Sequence, residues 1–225
     1  MNSSSSGTHT GLSLRRLSAI QFLIAIVVLF VSTPFVEPLR SGPLIESILF
    51  SIVLVSGILA IADRPSVVII AAILAVVALA GRWISHLRPD RMPPEPFLIG
   101  GILFVLFVVI NLLRFVLTAS EVDTEVLCAS ISAYLLLGLL WTLAYWLVAE
   151  IIPNAFAFSG DDKSLAGFNG FYFSFITMST VGYGDIIPVA KVARMLAALE
   201  AMTGLLYVAV LIARLVALQT TTKNV

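Results

Sequence analysis

The nine residues "TMSTVGYGD", from Thr177 to Asp185, combine hydroxyls, alternating glycines and a carboxylate within a chain that is mostly apolar. Glycines at alternate positions can adopt a positive φ at little cost, which lets successive carbonyls turn to the same side. Four such strands around one axis form rings of oxygens that replace the hydration shell of a potassium ion. The predicted filter comprises Thr180, Val181, Gly182, Tyr183 and Gly184; potassium is expected at the first four, with the Thr180 hydroxyl completing the innermost ring.

The composition indicates that a membrane surrounds this strand. Hydrophobic residues make up 60% of the 225-residue chain and charged residues 12%, against roughly 45–50% and 25% in soluble domains. The 13 basic and 13 acidic residues cancel, and no basic run points to nucleic acid as a partner. The expected partners are therefore membrane lipids and ions, with no nucleic acid.

Six apolar runs are long enough to cross a bilayer, which takes about 20 residues of helix. Arg15 and Arg16 before the first run also suit a secretory signal, but no A-x-A-like cleavage site follows and further runs do, so a span is favoured. The predicted spans are residues 17–35, 44–62, 66–85, 97–118, 129–148 and 192–217. An even number of spans places both termini on one side of the membrane.

Between the fifth and sixth runs, "FYFSFITMS" offers about ten apolar and hydroxyl residues, too few to span a membrane. This length suits a re-entrant half-helix. Non-helical backbone at membrane depth is tolerated only where protein covers it or it lines a water-filled cavity. The filter strand is therefore expected to line a pore, with the negative end of the half-helix dipole favouring a cation. Because one chain carries one such strand, three further identical chains are expected, in a homotetramer.

The motif "TMSTVGYGD" resembles the signature of tetrameric potassium channels. "YFSFITMSTVGYGDIIP" together with "LEAMTGLLYVAVLIARLV" is similar to six-span bacterial members of that group. The resemblance covers residues 129–216 closely and the first four spans only in number and spacing. It implies an all-α membrane protein with six transmembrane helices, a re-entrant pore helix and a selectivity filter between the fifth and sixth. It also implies passive, potassium-selective conduction.

The resemblance implies an orientation and supporting residues for the filter. The expected location is the cell (inner) membrane. Potassium-channel filters lie near the extracellular face, so both termini are expected in the cytoplasm. Asp185 corresponds to an aspartate that hydrogen-bonds behind the filter, and Tyr172 to a pore-helix aromatic that surrounds the strand. Thr177 is grouped with them as filter support. Ile176 stands where some channels carry a glutamate, so fewer bonds are expected around the outer filter.

The predicted inner helix carries one carboxylate within its apolar run, at Glu200. Gly204 lies one turn later on the same face, where a glycine permits either hinge bending or close approach to the pore helix. If the inner helix is oriented as in related channels, that face meets the pore helix, and Glu200 is expected to bond a hydroxyl such as Ser174 or Thr177. A structural brace is favoured over a cavity charge or a proton sensor, because buried carboxylates need hydrogen bonds. The opposite face then lines the cavity and the gate, with Leu205, Val208 and Ile212.

The first four spans lack the ladder of arginines that a voltage sensor uses. The fourth span has only Arg114, near its end, where snorkelling explains it. The predicted organisation is a disordered cytoplasmic tail (1–16), a four-helix domain that resembles a voltage sensor without its arginines (17–118), a linker (119–128), the pore domain (129–217) and a short cytoplasmic tail (218–225). Steep voltage gating is not expected.

Other classes of function were weighed against this one. The sequence has no "HExxH", nucleophile elbow or P-loop, so an enzyme is not expected, and neither is any cofactor apart from bound potassium ions. A nonselective cation channel of similar architecture remains open, and so does a non-conducting or sensory subunit that assembles with other channel chains.

Overall fold

The computed structural model describes the backbone of residues 6–62, 64–87, 95–160 and 163–222, and the side chains of 18–62, 64–84, 95–160 and 163–217. Seven helices and two short strands occupy these ranges. In chain order they are α1 (Ser6–Val36), α2 (Gly42–Ala60), α3 (Pro65–Leu87), α4 (Glu95–Thr118), α5 (Thr124–Ile151), β1 (Phe156–Phe158), α6 (Phe168–Met178), β2 (Ile186–Pro188) and α7 (Lys191–Thr222).

Six of these helices are long and apolar enough to cross a membrane. They contain the spans Ser18–Val36, Gly42–Ala60, Pro65–Ile84, Glu95–Thr118, Thr124–Ile151 and Lys191–Ala217. Each predicted apolar run lies within one helix or overruns it by two residues or fewer. The prediction of an all-α membrane protein with six spans is therefore confirmed.

The ends of some elements differ from the prediction. A disordered tail was expected over residues 1–16, but α1 begins at Ser6, because extending a helix that the span has nucleated is easier than starting one. The linker expected over 119–128 ends at Asp123, whose carboxylate accepts a hydrogen bond of 2.8 Å from the Val126 amide and caps α5. At the other end, α7 continues to Thr222, into the predicted tail. Residues 1–5 and 223–225 lie outside the described residues.

The first five helices pack in a ring. Helix α1 packs against α2, α2 against α3, α3 against α4 and α4 against α5, and α5 closes the ring on α1. One continuous apolar core runs through all five, with buried members such as Phe22, Leu54, Val108 and Leu136. The first four helices therefore share their core with the outer helix of the predicted pore domain instead of forming a separate unit.

Two charged side chains of the helix ring form an ion pair with each other. The Arg82 guanidinium of α3 lies 3.2 Å from the Glu46 carboxylate of α2 and donates a second hydrogen bond of 3.1 Å to the Ser47 hydroxyl. Its charge also sits 5.4 Å from the centre of the Phe97 ring. Such pairing is the usual way to place a charge within a membrane span.

A two-stranded antiparallel sheet, which the sequence did not indicate, flanks the filter. It pairs Phe156 with Pro188 and Phe158 with Ile186. The Ser159 amide extends the pairing with a hydrogen bond of 2.9 Å to the Asp185 carbonyl. The chain that leaves the filter is thus tied to the segment that precedes the half-helix.

Candidate ion-conducting site

Helix α6 is the half-helix predicted from "FYFSFITMS", and side chains on two of its faces fix it in place. Phe173, Ser174 and Met178 are buried against the outer and inner helices. On another face, the Phe171 and Phe175 rings meet the Phe30 ring of α1 edge to face, at 4.9 and 5.1 Å between centres. At 11 residues, α6 is too short to span a bilayer.

The first amide of α6 is capped from a distant part of the chain. The N-cap residue, Gly167, has a φ of 67° and no side chain to offer. The Glu37 carboxylate, in the connection between α1 and α2, instead accepts a hydrogen bond of 3.1 Å from the Phe168 amide. A side chain at Gly167 would collide with this carboxylate. A negative charge here also complements the positive end of the helix dipole.

The filter strand begins immediately after α6 and is bonded back onto it. The amides of Val181 and Gly182 both donate to the Ile176 carbonyl, at 2.8 and 3.1 Å, and the Thr180 amide donates to the Thr177 carbonyl at 3.0 Å. Because these N–H groups point toward the helix, the strand's carbonyls are free to point away from it. This is the geometry that a ring of ion ligands requires.

The backbone of the strand alternates in handedness, as the glycine spacing predicts. Gly182 and Gly184 have φ values of 53° and 82°. Thr180 also has a positive φ, of 59°, which the sequence could not indicate because β-branched residues rarely adopt this conformation. Holding it there costs about 1–3 kcal/mol, and such strain persists where the surroundings impose it, often at functional sites. The hydrogen bonds from the Thr180 and Val181 amides to carbonyls of α6 provide that constraint.

The residues grouped as filter support occupy different positions. The Tyr172 ring stacks parallel to the Tyr183 ring, with 6.5 Å between centres, and a hydrogen bond with the Asp185 carboxylate raises the pKa of Tyr172 to about 12. The Asp185 Oδ1 atom is buried and has no partner among the described residues. Thr177 contributes its backbone carbonyl to the start of the strand.

Glu200 joins three helices. It is fully buried in α7, and its Oε1 atom lies 2.5 Å from the Ser174 hydroxyl of α6. Its Oε2 atom accepts a hydrogen bond of 2.5 Å from the Tyr145 hydroxyl of α5. The expected bond to Ser174 is present, whereas the second partner is Tyr145 and not Thr177. Nothing in the sequence indicated this role for Tyr145.

Gly204 lies where the inner helix crosses the end of the pore helix. A side chain at this position would collide with the Met178 carbonyl oxygen and side chain. Further along the same face, the Tyr207 hydroxyl donates a hydrogen bond of 2.6 Å to the Ser130 carbonyl. The Arg214 guanidinium donates one of 2.8 Å to the Ala119 carbonyl. The face that begins at Glu200 is therefore the one that meets the rest of the chain, and close approach accounts for the glycine.

The opposite face of α7 is exposed in a single chain. Leu205, Val208 and Ile212 are 67%, 41% and 57% exposed. In the filter strand, Val181 and Tyr183 are 53% and 72% exposed. The residues expected to line the pore are thus exposed in a single chain.

Comparison with known proteins agrees with this geometry. The family described as "Ion channel" matches residues 133–220, which start within α5 and stop just before the end of α7. The inward rectifier potassium channel Kirbac3.1 of Paramagnetospirillum magnetotacticum is 40% identical over 77 residues, which are 34% of this chain and 24% of that protein. Two-pore potassium channel 4 of Arabidopsis thaliana is 33% identical over 102 residues, 44% of this chain and 36% of that protein. No solved structure matches the chain.

The chain thus spans about a quarter to a third of the length of these curated relatives. The matched region contains the half-helix, the filter strand and the inner helix, and it points to a channel rather than an enzyme. Residues 133–220 of this multi-pass, mainly helical membrane protein are therefore similar to the ion channel family.

Proposed function

We propose that four copies of this chain assemble around one axis and conduct potassium selectively and passively across the cell membrane. The observation that carries the proposal is the alternation of positive φ at Thr180, Gly182 and Gly184, combined with strand amides that bond back to the pore helix. Four strands of this shape supply stacked rings of carbonyl oxygens that replace the hydration shell of potassium.

The exposure of the expected pore-lining residues supports the tetramer. Apolar surface of this kind is stable only when lipid or other protein covers it, and the exposed filter backbone does not tolerate lipid. A fourfold arrangement covers the filter with three further copies and turns Leu205, Val208 and Ile212 toward the axis. The names of the two relatives, both potassium channels, support potassium as the permeant ion.

The orientation follows from the resemblance to potassium channels. With the filter near the extracellular face, both termini of the six-span chain lie in the cytoplasm. The end of the helix bundle that holds Glu37 and the start of the pore helix then faces outward.

The test is a single methyl group at a filter glycine. Within one chain, a Cβ at Gly182 meets no atom within 4 Å, so the intrachain effect of Gly182→Ala is on the backbone, where a left-handed conformation costs about 1–2 kcal/mol per residue. Gly160→Ala is the matched control, because its Cβ is equally unobstructed and its φ is ordinary. Potassium flux into liposomes should be lost in Gly182→Ala and retained in Gly160→Ala.

Selectivity and assembly are measured on the same material. The reversal potential under mixed potassium and sodium should follow the potassium gradient, and the purified protein should be a tetramer. Equal permeability to both ions would make the protein a nonselective cation channel. A well-folded tetramer without flux would indicate a non-conducting subunit, and a monomer or dimer that conducts would end the proposal.

A further inference from the structure

A cavity of about 450 Å³ opens at the end of the helix ring opposite the filter. It lies among the first described side chains of α1, the end of α2, the end of α4 and the start of α5. None of its lining residues belongs to the pore helix, the filter or the inner helix. The proposed conduction therefore leaves this cavity without a role.

Two arginines line the cavity. Arg64 precedes α3 and Arg114 lies near the end of α4. Neither guanidinium has a hydrogen bond or ion pair with any other described residue, in contrast to Arg82 and Arg214, whose guanidinium groups donate to oxygens of the chain. Glu125 also lines the cavity, but it already has a partner of its own. The cavity lining therefore presents two guanidinium groups that could bind a ligand.

A buried hydroxyl without a partner lies in the same wall. Ser132 lines the cavity and is fully buried, and its Oγ atom has no hydrogen bond within the described part of the chain. Other hydroxyls of α5 avoid this state by donating to the carbonyl four residues earlier, as Ser130 does at 2.7 Å and Thr142 at 2.8 Å. A buried polar group left unpaired is costly. The Ser132 hydroxyl is thus a hydrogen-bond donor in the cavity wall that the described part of the chain leaves unused.

The chemistry of these three groups selects the ligand. Guanidinium groups match the oxygens of a phosphate in paired hydrogen bonds, and they are the side chains most used for this purpose. A phosphate oxygen can also accept the proton of the serine hydroxyl. We propose that this cavity binds a phosphate group, either the headgroup of an anionic phospholipid from the surrounding leaflet or free phosphate.

The position of the cavity suits both sources. It lies at the ends of spanning helices, where arginines meet anionic headgroups, and its volume exceeds that of a single phosphate. A lipid would place its phosphate between Arg64 and Arg114 and leave its chains outside the ring. Free phosphate would enter from the aqueous side.

The test is binding to the purified full-length protein. In neutral detergent, native mass spectrometry counts bound phosphatidylglycerol against phosphatidylcholine, and thermal melting is followed while inorganic phosphate is titrated. Arg64→Gln and Arg114→Gln should each weaken binding about tenfold, and Ser132→Ala about threefold to tenfold, because each removes a hydrogen bond to a charged group. Arg40→Gln, which makes the same charge change in the connection between α1 and α2, and Ser130→Ala should leave binding unchanged.

The two ligands separate the sources. Retention of phosphatidylglycerol without any response to inorganic phosphate identifies a lipid site, and saturable stabilisation by inorganic phosphate that competes with the lipid identifies a phosphate site. The proposal is overturned if neither ligand binds, if phosphatidylcholine binds as well as phosphatidylglycerol, or if Arg40→Gln and Ser130→Ala weaken binding as much as the cavity variants.

Discussion

Removing one hydroxyl, in Tyr145→Phe, should destabilise the protein by about 1–3 kcal/mol, the cost of leaving a buried acceptor without its hydrogen bond. Tyr145 donates to the Oε2 atom of the fully buried Glu200. The ring contacts with Phe173 at 4.9 Å and Phe156 at 5.8 Å survive the substitution. The loss therefore isolates the hydrogen bond, and it leaves one carboxylate oxygen buried without a donor.

Tyr134→Phe provides the matched control. Tyr134 lies on the same helix, and its ring contacts Tyr207 with 5.7 Å between centres, but its hydroxyl makes no hydrogen bond to the described residues. Unfolding of both variants in detergent, followed with increasing denaturant, gives the difference in the free energy of unfolding. We expect Tyr134→Phe to stay within about 0.5 kcal/mol of the unmodified protein.

Glu200→Gln distinguishes a brace from a functional charge. The glutamine keeps an oxygen for the Ser174 hydroxyl, and its amide nitrogen can donate to the Tyr145 oxygen, so both contacts survive. If Glu200 is a brace, this variant should retain stability and potassium flux. The brace is refuted if Tyr145→Phe is as harmless as Tyr134→Phe. It is also refuted if Glu200→Gln changes conductance or its pH dependence while the protein remains folded.

Three further predictions concern gating and the pore helix. Opening should change little with voltage, because Arg114 is the only basic residue of α4 and a steep response needs several charges. In planar-bilayer recording, an e-fold change in open probability within about a few millivolts would contradict this prediction. Glu37→Ala should remove the cap of the pore helix, worth about 1 kcal/mol, and hasten amide exchange at the start of that helix, whereas an equal effect from Glu121→Ala would show that only charge matters. Ile212→Asn should raise resting potassium leak by wetting an apolar constriction, and Leu211→Asn, on a half-buried face, should not; equal leak from both would place the gate elsewhere.

The resemblance to potassium channels set the predicted orientation of the inner helix, and its one polar side chain is consistent with that orientation. A carboxylate in an apolar span must face a hydrogen-bond donor, and helical spacing then assigns Gly204, Tyr207 and Leu211 to the same side. In the structure these residues are buried or half-buried, and Leu205, Val208 and Ile212 are exposed. The positive φ at Gly182 and Gly184 could likewise be predicted, because few other reasons place glycines at alternate positions beside a half-helix.

Contacts between distant segments could not be predicted in this way. Nothing in the sequence near Glu37 indicates that its carboxylate caps a helix that begins at Phe168, since the pairing depends on how α1 packs against α6. The strand pairing of β1 with β2 was missed for the same reason, because each strand has only 3 residues and no turn joins them directly. Periodicity reports on which face of an element is buried and not on what covers it.

Besides the ring contacts of Phe30, two hydrogen bonds link the connections that flank the first four helices to the pore helix and the inner helix. At the filter end, Glu37 holds the first amide of the pore helix. At the opposite end, Arg214 of the inner helix donates to the Ala119 carbonyl, at the junction of α4 and α5. A tilt of these helices as one body would therefore act on the pore helix and the inner helix together. A difference of about 1–2 kcal/mol between two states changes their ratio by a factor of about 5–30, so a hydrogen bond made in only one state would be enough to shift the balance between them.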